Sequence, residues 1–180
     1  MITCKDIPKP DAIDDIGILN RNSQGFQVIG ELDQIALFKD LPYDCLDDIS
    51  KFCARVHFEA GEFLITEGDS ENPDLFILCD GSVEIVSNNS DCISNEIVLS
   101  KEQKDIFGEI SWLTNANRTA SVRCHDQVDA IRIDGRALMG YLEERPEAGF
   151  IITRKVANLL SQRMEETDKL LKQVLWNRHI

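Results

Sequence analysis

The chain of 180 residues is 43% hydrophobic and 28% charged, enough apolar material for one packed core with appended helices and too much for general disorder. Asp and Glu total 32 against 19 Lys and Arg, and a formal net charge of −13 repels polyphosphate, which excludes a broad nucleic-acid-binding face. No apolar run approaches the ~18 residues of a membrane span, and the start MITCKDIPKPDAIDD lacks the apolar stretch of a signal peptide, so a cytoplasmic protein is expected.

Residues 1–30 read as an N-terminal helical extension, with Ile13, Ile16 and Leu19 spaced for a short helix behind Pro10 and Asp11 and stopped by NRNSQG. A second short helix is expected in ELDQIALF, ending near Leu41-Pro42. A third starts at Pro42, whose fixed φ suits the first helical turn. Asp44, Asp47 and Asp48 sit toward its electropositive end, and Leu46, Ile49, Phe52, Cys53 and Val56 form one apolar face.

From about Ala54 short apolar runs replace the helical period: RVHF, AGEFLITEGD, DLFILCDG, SVEIVSNNSD and NEIVLS, then TASVRC and VDAIRI after Gly108. Gly61, Gly68 and Gly81 fall between them as turn signals. Many short strands at near-regular spacing predict an antiparallel jelly roll. The six cysteines (4, 45, 53, 79, 92 and 124) show no CxxC pair, and most interrupt apolar segments where a reduced thiol packs as a small hydrophobe. His57, His125 and His179 are too scattered to suggest a metal site or a cupin-like enzyme, so no catalytic residue and no cofactor are assigned. RALMGYLEER reads as a helix ending before Pro146, and a long helical pattern follows through Ile152, Val156, Leu160, Met164, Leu171 and Val174. The expected fold class is α+β: a β-roll within residues 31–145, flanked by N-terminal helices and by a C-terminal lid or dimerisation helix over 146–180.

One interval interrupts the strands: DIFGEISWLTNANRTASVRC, residues 105–124. Gly108 precedes EISWL, a possible helical turn whose exposed N–H groups suit a phosphate. Arg118 stands at the mouth of the next strand, where a guanidinium forks onto two phosphate oxygens as Lys cannot. Glu109 is acceptor-only when ionised and suits a hydroxyl donor such as a ribose 2′-OH. The bland alternative is an ion pair between Glu109 and Arg118 that closes the loop.

FGEISWLTNANRTASV resembles the phosphate-binding cassette of the cyclic nucleotide-binding domain family, which includes protein kinase A regulatory regions, cyclic-nucleotide-gated channels and the bacterial catabolite activator protein. The resemblance covers about residues 31–175, taking in LFKDLP, AGEFLITEGD and FILCDGSVEI. It implies an eight-stranded β-roll with helices on either side. It further implies that Glu109 accepts from the ribose 2′-OH and Arg118 binds the exocyclic phosphate oxygens. Gly108 and the amides of Glu109 and Ile110 would complete those contacts, with Thr119 adding a hydroxyl near the phosphate. Ser121 is expected to be an outward strand residue. Val83 and Ile97 are expected at the purine, and Leu160, Arg163 and Met164 at the lid, against the alternative of a dimer seam or ordinary core.

Two departures stand out. Asn117 replaces the proline common before the arginine, and Trp112 is bulkier than the usual aliphatic residue. Neither removes a ligand contact. Catabolite-activator-like proteins continue into a helix-turn-helix domain, and none follows before Ile180, so direct DNA contact is not expected. The reading is a cAMP sensor that signals to an effector protein through its C-terminal helices and possesses a candidate homodimer face there. The alternatives are a cGMP sensor and a degenerate scaffold that binds no nucleotide.

Overall fold

The computed structural model describes residues 28–87, 96–100 and 104–177. The helix expected around Ile13, Ile16 and Leu19 lies outside the described residues. Eight strands are described: β1 Cys53–Phe58, β2 Phe63–Ile65, β3 Leu75–Asp80, β4 Val83–Ser87, β5 Glu96–Ser100, β6 Ile106–Phe107, β7 Ser121–Cys124 and β8 Val128–Ile133. They pair antiparallel into two four-stranded sheets, ordered β1-β8-β3-β6 and β2-β7-β4-β5, as expected for a β-roll. Besides a short helical stretch over 28–32, the helices of the described residues are α1 Tyr43–Ser50, α2 Glu109–Thr114, α3 Gly135–Glu144 and α4 Pro146–Asn177.

Two apolar clusters sit on opposite faces of the first sheet. Leu75 and Ile77 of β3, with Ile131 and Ile133 of β8, pack on the helical layer. Phe76 and Leu78, with Val128 and Ala130, fill the interior of the roll. Burial on both faces explains why β3 reads as the unbroken apolar run LFIL rather than an alternation. The helical layer is built from Leu46 and Ile49 of α1, Leu138 and Leu142 of α3, and Ala148, Ile152 and Val156 of α4. The first side chains of α4 therefore anchor it, whereas residues 164–176 are all exposed.

Two helical expectations are corrected. α1 ends at Ser50, so Phe52, Cys53 and Val56 do not extend its apolar face. Cys53–Phe58 instead pairs residue by residue with Ile133–Val128. A spacing of three shares a face on a helix but splits across a strand's pleat. Cys53 accordingly packs on the helical layer and Val56 on the roll interior. ELDQIALF is helical only through residue 32 and then continues as successive turns to residue 40, burying Leu32, Ile35, Leu37 and Phe38. Asp40 closes that segment in the left-handed region, with φ of 74°.

α3 begins where Asp134 accepts hydrogen bonds from the Arg136 and Ala137 amides, a side-chain cap that fixes the end of β8 against the helix. β6 belongs to the first sheet and β7 to the second, so residues 108–120 carry the chain from one sheet to the other.

Candidate functional site

That crossing is built around Gly108. The residue takes a left-handed conformation, φ 92° and ψ 1°, as N-cap of α2. Only glycine fits here: a Cβ would lie 2.4 Å from Arg118 Nη1 and 2.7 Å from the Asp74 carbonyl oxygen. α2 then closes at Asn115, which is also left-handed, and the chain returns through Arg118 into β7. The Arg118 backbone is bracketed by the 68–74 loop: its amide donates to Asp69 O at 2.9 Å and its carbonyl accepts from Gly68 N at 2.9 Å.

The Arg118 side chain is buried, at 5% exposure. Nη1 donates to Gly108 O at 3.0 Å and to Ser111 Oγ at 2.7 Å, and Nη2 donates to Asp74 O at 2.6 Å. All three acceptors are neutral, and Arg118 forms no salt bridge among the described residues. Burial pushes its pKa down from the ordinary value, opposed by the more distant charges of Asp69, Asp74 and Glu109. Arginine nevertheless stays protonated. The loop thus encloses a hydrogen-bonded cation that has no paired anion among the described residues, beside the N-terminus of α2.

Glu109, the first residue of α2, is also buried. It does not pair with Arg118, so the ion-pair alternative raised by the sequence is not what the structure contains. Its carboxylate is bound instead by Arg163 of α4. Arg163 also donates from Nη2 to Ile106 O at 2.7 Å and lies 6.0 Å from the centre of the Phe107 ring. One α4 side chain therefore ties that helix to both β6 and α2.

The sequence model of the cyclic nucleotide-binding domain matches residues 55–145, a span that contains the roll from β2 onward, the Gly108 turn and Arg118. The chain belongs to the cyclic nucleotide-binding domain family. It is 25% identical over 145 residues to the CRP-like cAMP-activated global transcriptional regulator of Mycobacterium tuberculosis, covering 81% of this chain and 62% of that regulator. This chain thus spans less than two thirds of that relative's length. A crystal structure of a cyclic nucleotide-binding domain from Methylobacillus flagellatus superposes with a TM-score of 0.69 at 20% identity, over 84% of this chain and 85% of the other. The regulatory domain of Toxoplasma gondii PKA, crystallised with cAMP, superposes with a TM-score of 0.57 at 25% identity, over 66% and 44%.

Within this cyclic nucleotide-binding domain the cassette residues Gly108, Glu109 and Arg118 converge on one turn. Ile110 and Thr119 both lie exposed beside it, and Val83 is fully buried in the roll interior. Ile97 stands opposite Val86 in β5, and its side chain lies outside the described ones. The lid residues divide. Arg163 reaches the cassette, whereas Leu160 packs on the helical layer and Met164 points to solvent at 65% exposure. Ser121 is corrected: it is buried, and its Oγ accepts from the Glu67 amide at 2.9 Å. Asp74 and Ser111, which hold the Arg118 guanidinium, were not signalled by the sequence: Asp74 contributes a main-chain acceptor 44 residues away, which leaves no side-chain pattern, and the Ser111 hydroxyl is an ordinary helix side chain until α2 turns it toward Arg118. Trp112 stood out only for its size; its buried Nε1 donates to Gly135 O at 2.9 Å. Among the described residues no helix is long and apolar enough to cross a membrane, and no cluster of three metal-binding side chains occurs.

Proposed function

We propose that this domain is a cAMP sensor, a receptor that holds its ligand without transforming it and reports occupancy to an effector protein through α4. One observation carries the reading: a buried guanidinium that, among the described residues, is hydrogen-bonded by neutral acceptors at a helix start, which is the electrostatic complement of a phosphate diester. In this reading Arg118 and the Glu109 and Ile110 amides bind the cyclic phosphate, with Gly108 making the approach possible and Thr119 adding a hydroxyl. Glu109 accepts the ribose 2′-OH. Val83 and Ile97 flank the base. The mycobacterial relative and the PKA regulatory domain are described with cAMP, which supports cAMP as the ligand, and cGMP-dependent protein kinases 28% identical over 105 residues keep cGMP as the alternative.

The route to the effector starts at Arg163. Because it shares Glu109 with the ribose, the ligand and α4 meet on one carboxylate. A ligand shifts a conformational equilibrium only by its difference in affinity for the two states, and this shared group supplies such a difference. α4 also offers a surface for a second copy of the chain. Beyond Leu160, which packs on the helical layer, Met164, Thr167, Leu171 and Val174 are exposed at alternating steps of three and four, and Leu170 and Leu175 widen the stripe near the C-terminal end. That seam supports a homodimer through the helix.

Isothermal titration of the purified chain with cAMP, cGMP and cyclic dinucleotides tests the assignment. cAMP is expected to bind most tightly. Arg118→Ala is expected to lose about 2–5 kcal/mol, the cost of removing one partner of a buried charge-assisted contact, while its circular dichroism spectrum stays that of a folded protein. Equal binding by the variant would place the ligand elsewhere. A wild-type chain that binds no nucleotide yet still self-associates would be the scaffold alternative.

A further inference from the structure

The junction between β8 and α3 is held from three sides by residues around Arg118. Asp74, whose carbonyl accepts from the Arg118 guanidinium, turns its buried side chain the other way: Oδ1 accepts from the Gly135 amide at 3.1 Å. Its Oδ2 lies 3.2 Å from Arg132 Nε on β8. Gly135 is the first residue of α3, and its amide is one of the donors that a helix start leaves without an intrahelical partner. From the cassette, Trp112 Nε1 donates to the Gly135 carbonyl. The third side is steric: a Cβ on Gly135 would lie 2.1 Å from Pro73 O, so the 68–74 loop lies directly against the junction.

Both peptide groups of Gly135 are therefore fastened to elements that contact the phosphate-binding guanidinium. One path runs from Arg118 through the Asp74 backbone to the Asp74 carboxylate. The other runs from Gly108 through α2, where the Trp112 amide donates to Gly108 O at 3.1 Å, to the Trp112 indole. Only the side chains of Asp74 and Trp112 complete these paths; Arg118 itself uses the Asp74 main chain.

We infer that Asp74 and Trp112 are positioning residues that transmit phosphate occupancy at Arg118 to the α3–α4 helices by gripping Gly135. The inference rests on the sensor reading of the cassette and assigns to that site its mechanical output. When Arg118 redistributes its donors toward an incoming phosphate, its hold on Asp74 O and Gly108 O relaxes. The Asp74 backbone and α2 then shift together, and Gly135 follows.

The measurement is amide hydrogen exchange across residues 135–144 with and without saturating cAMP, alongside calorimetric affinity, for the full chain and for Asp74→Ala, Asp74→Asn and Trp112→Phe. In the wild type, cAMP is expected to change exchange in this segment at least about threefold. Asp74→Ala keeps the carbonyl that Arg118 uses but lacks the carboxylate that accepts from the Gly135 amide, so the cAMP-dependent change is expected to be lost. Asp74→Asn keeps an oxygen acceptor and restores the change. Trp112→Phe keeps the buried ring but lacks the N–H, and loses most of the change even should Asp74→Ala fail to fold. A wild-type-sized response in either Asp74→Ala or Trp112→Phe overturns the inference, as does a folded Asp74→Ala with affinity reduced more than tenfold, which would make Asp74 part of the binding site instead. If the wild type binds neither cAMP nor cGMP, the sensor reading falls and this inference with it; normal binding with an unaltered coupling in the variants removes the inference alone.

Discussion

Gly108→Ala is the sharpest probe of the turn that holds Arg118, because Gly61 provides its control. Both glycines have positive φ, 92° and 88°. An alanine at 61 meets nothing within 4 Å, whereas at 108 its methyl would overlap the Arg118 guanidinium and the Asp74 carbonyl. The backbone cost is shared, about 1–2 kcal/mol for an L-residue in the left-handed region. The overlap at 108 adds about 1–3 kcal/mol, because one neighbour is main chain and the other is fixed by three hydrogen bonds. For a chain of this size the melting temperature falls about 2–4 °C per kcal/mol. Gly61→Ala should therefore lower it by about 2–8 °C and Gly108→Ala by about 4–20 °C. Thermal unfolding followed by far-ultraviolet circular dichroism gives the comparison, and calorimetry gives cAMP affinity. Gly61→Ala is expected to bind as wild type, and Gly108→Ala at least about tenfold more weakly because the guanidinium is displaced. Equal melting temperatures and equal affinities in the two variants would show that Arg118 yields freely, and would refute the picture of a fixed cation.

Two further predictions concern the periphery. The Asp129 carboxylate, 2.8 Å from His57 Nδ1, raises the pKa of that imidazole above 6.5, with the charge of Glu59 contributing. Protonation thus favours the folded state: the stabilisation is complete below the unfolded-state value and is lost as pH rises through the higher folded value. A proton NMR titration should show the His57 midpoint lowered in Asp129→Asn; an unchanged midpoint would exclude Asp129 as the cause. On α4, Leu171 and Val174 are 54% and 55% exposed, so Leu171→Glu with Val174→Glu should leave the melting temperature of the isolated protomer unaltered while converting a dimer to a monomer in light scattering. A mass equal to that of the wild type would rule out this seam.

The fold was legible because its strands are short, apolar and separated by turn residues, and Gly61, Gly68, Gly81 and Gly108 all take the positive φ that such turns use. What failed was local: the spacing of Cys53 and Val56 fits a helix as well as a strand, and only pairing with β8 decides between them. In the cassette, Gly108, Glu109 and Arg118 were visible as residue types, since turn, acceptor and fork are properties of single side chains. Their partners were not. Arg163 was placed at the lid, but its pairing with Glu109 depends on the relative setting of α4 and α2, and Asp74 contributes a main-chain oxygen that any residue would supply. The buried Ser121 was misjudged because β7 forms its own hydrogen bond with the chain after β2, through the Glu67 amide.

The chain has two tryptophans, and they occupy opposite environments: Trp112 is 4% exposed and Trp176 is 75% exposed. Their fluorescence should accordingly separate, with a blue-shifted emission from the indole bonded at the junction and a red-shifted, readily quenched emission from the one near the end of α4. Two unlabelled optical channels follow from this arrangement, one tracking motion where the helices begin and the other tracking burial of the helix tip, so that ligand response and association can be timed separately in the same cuvette.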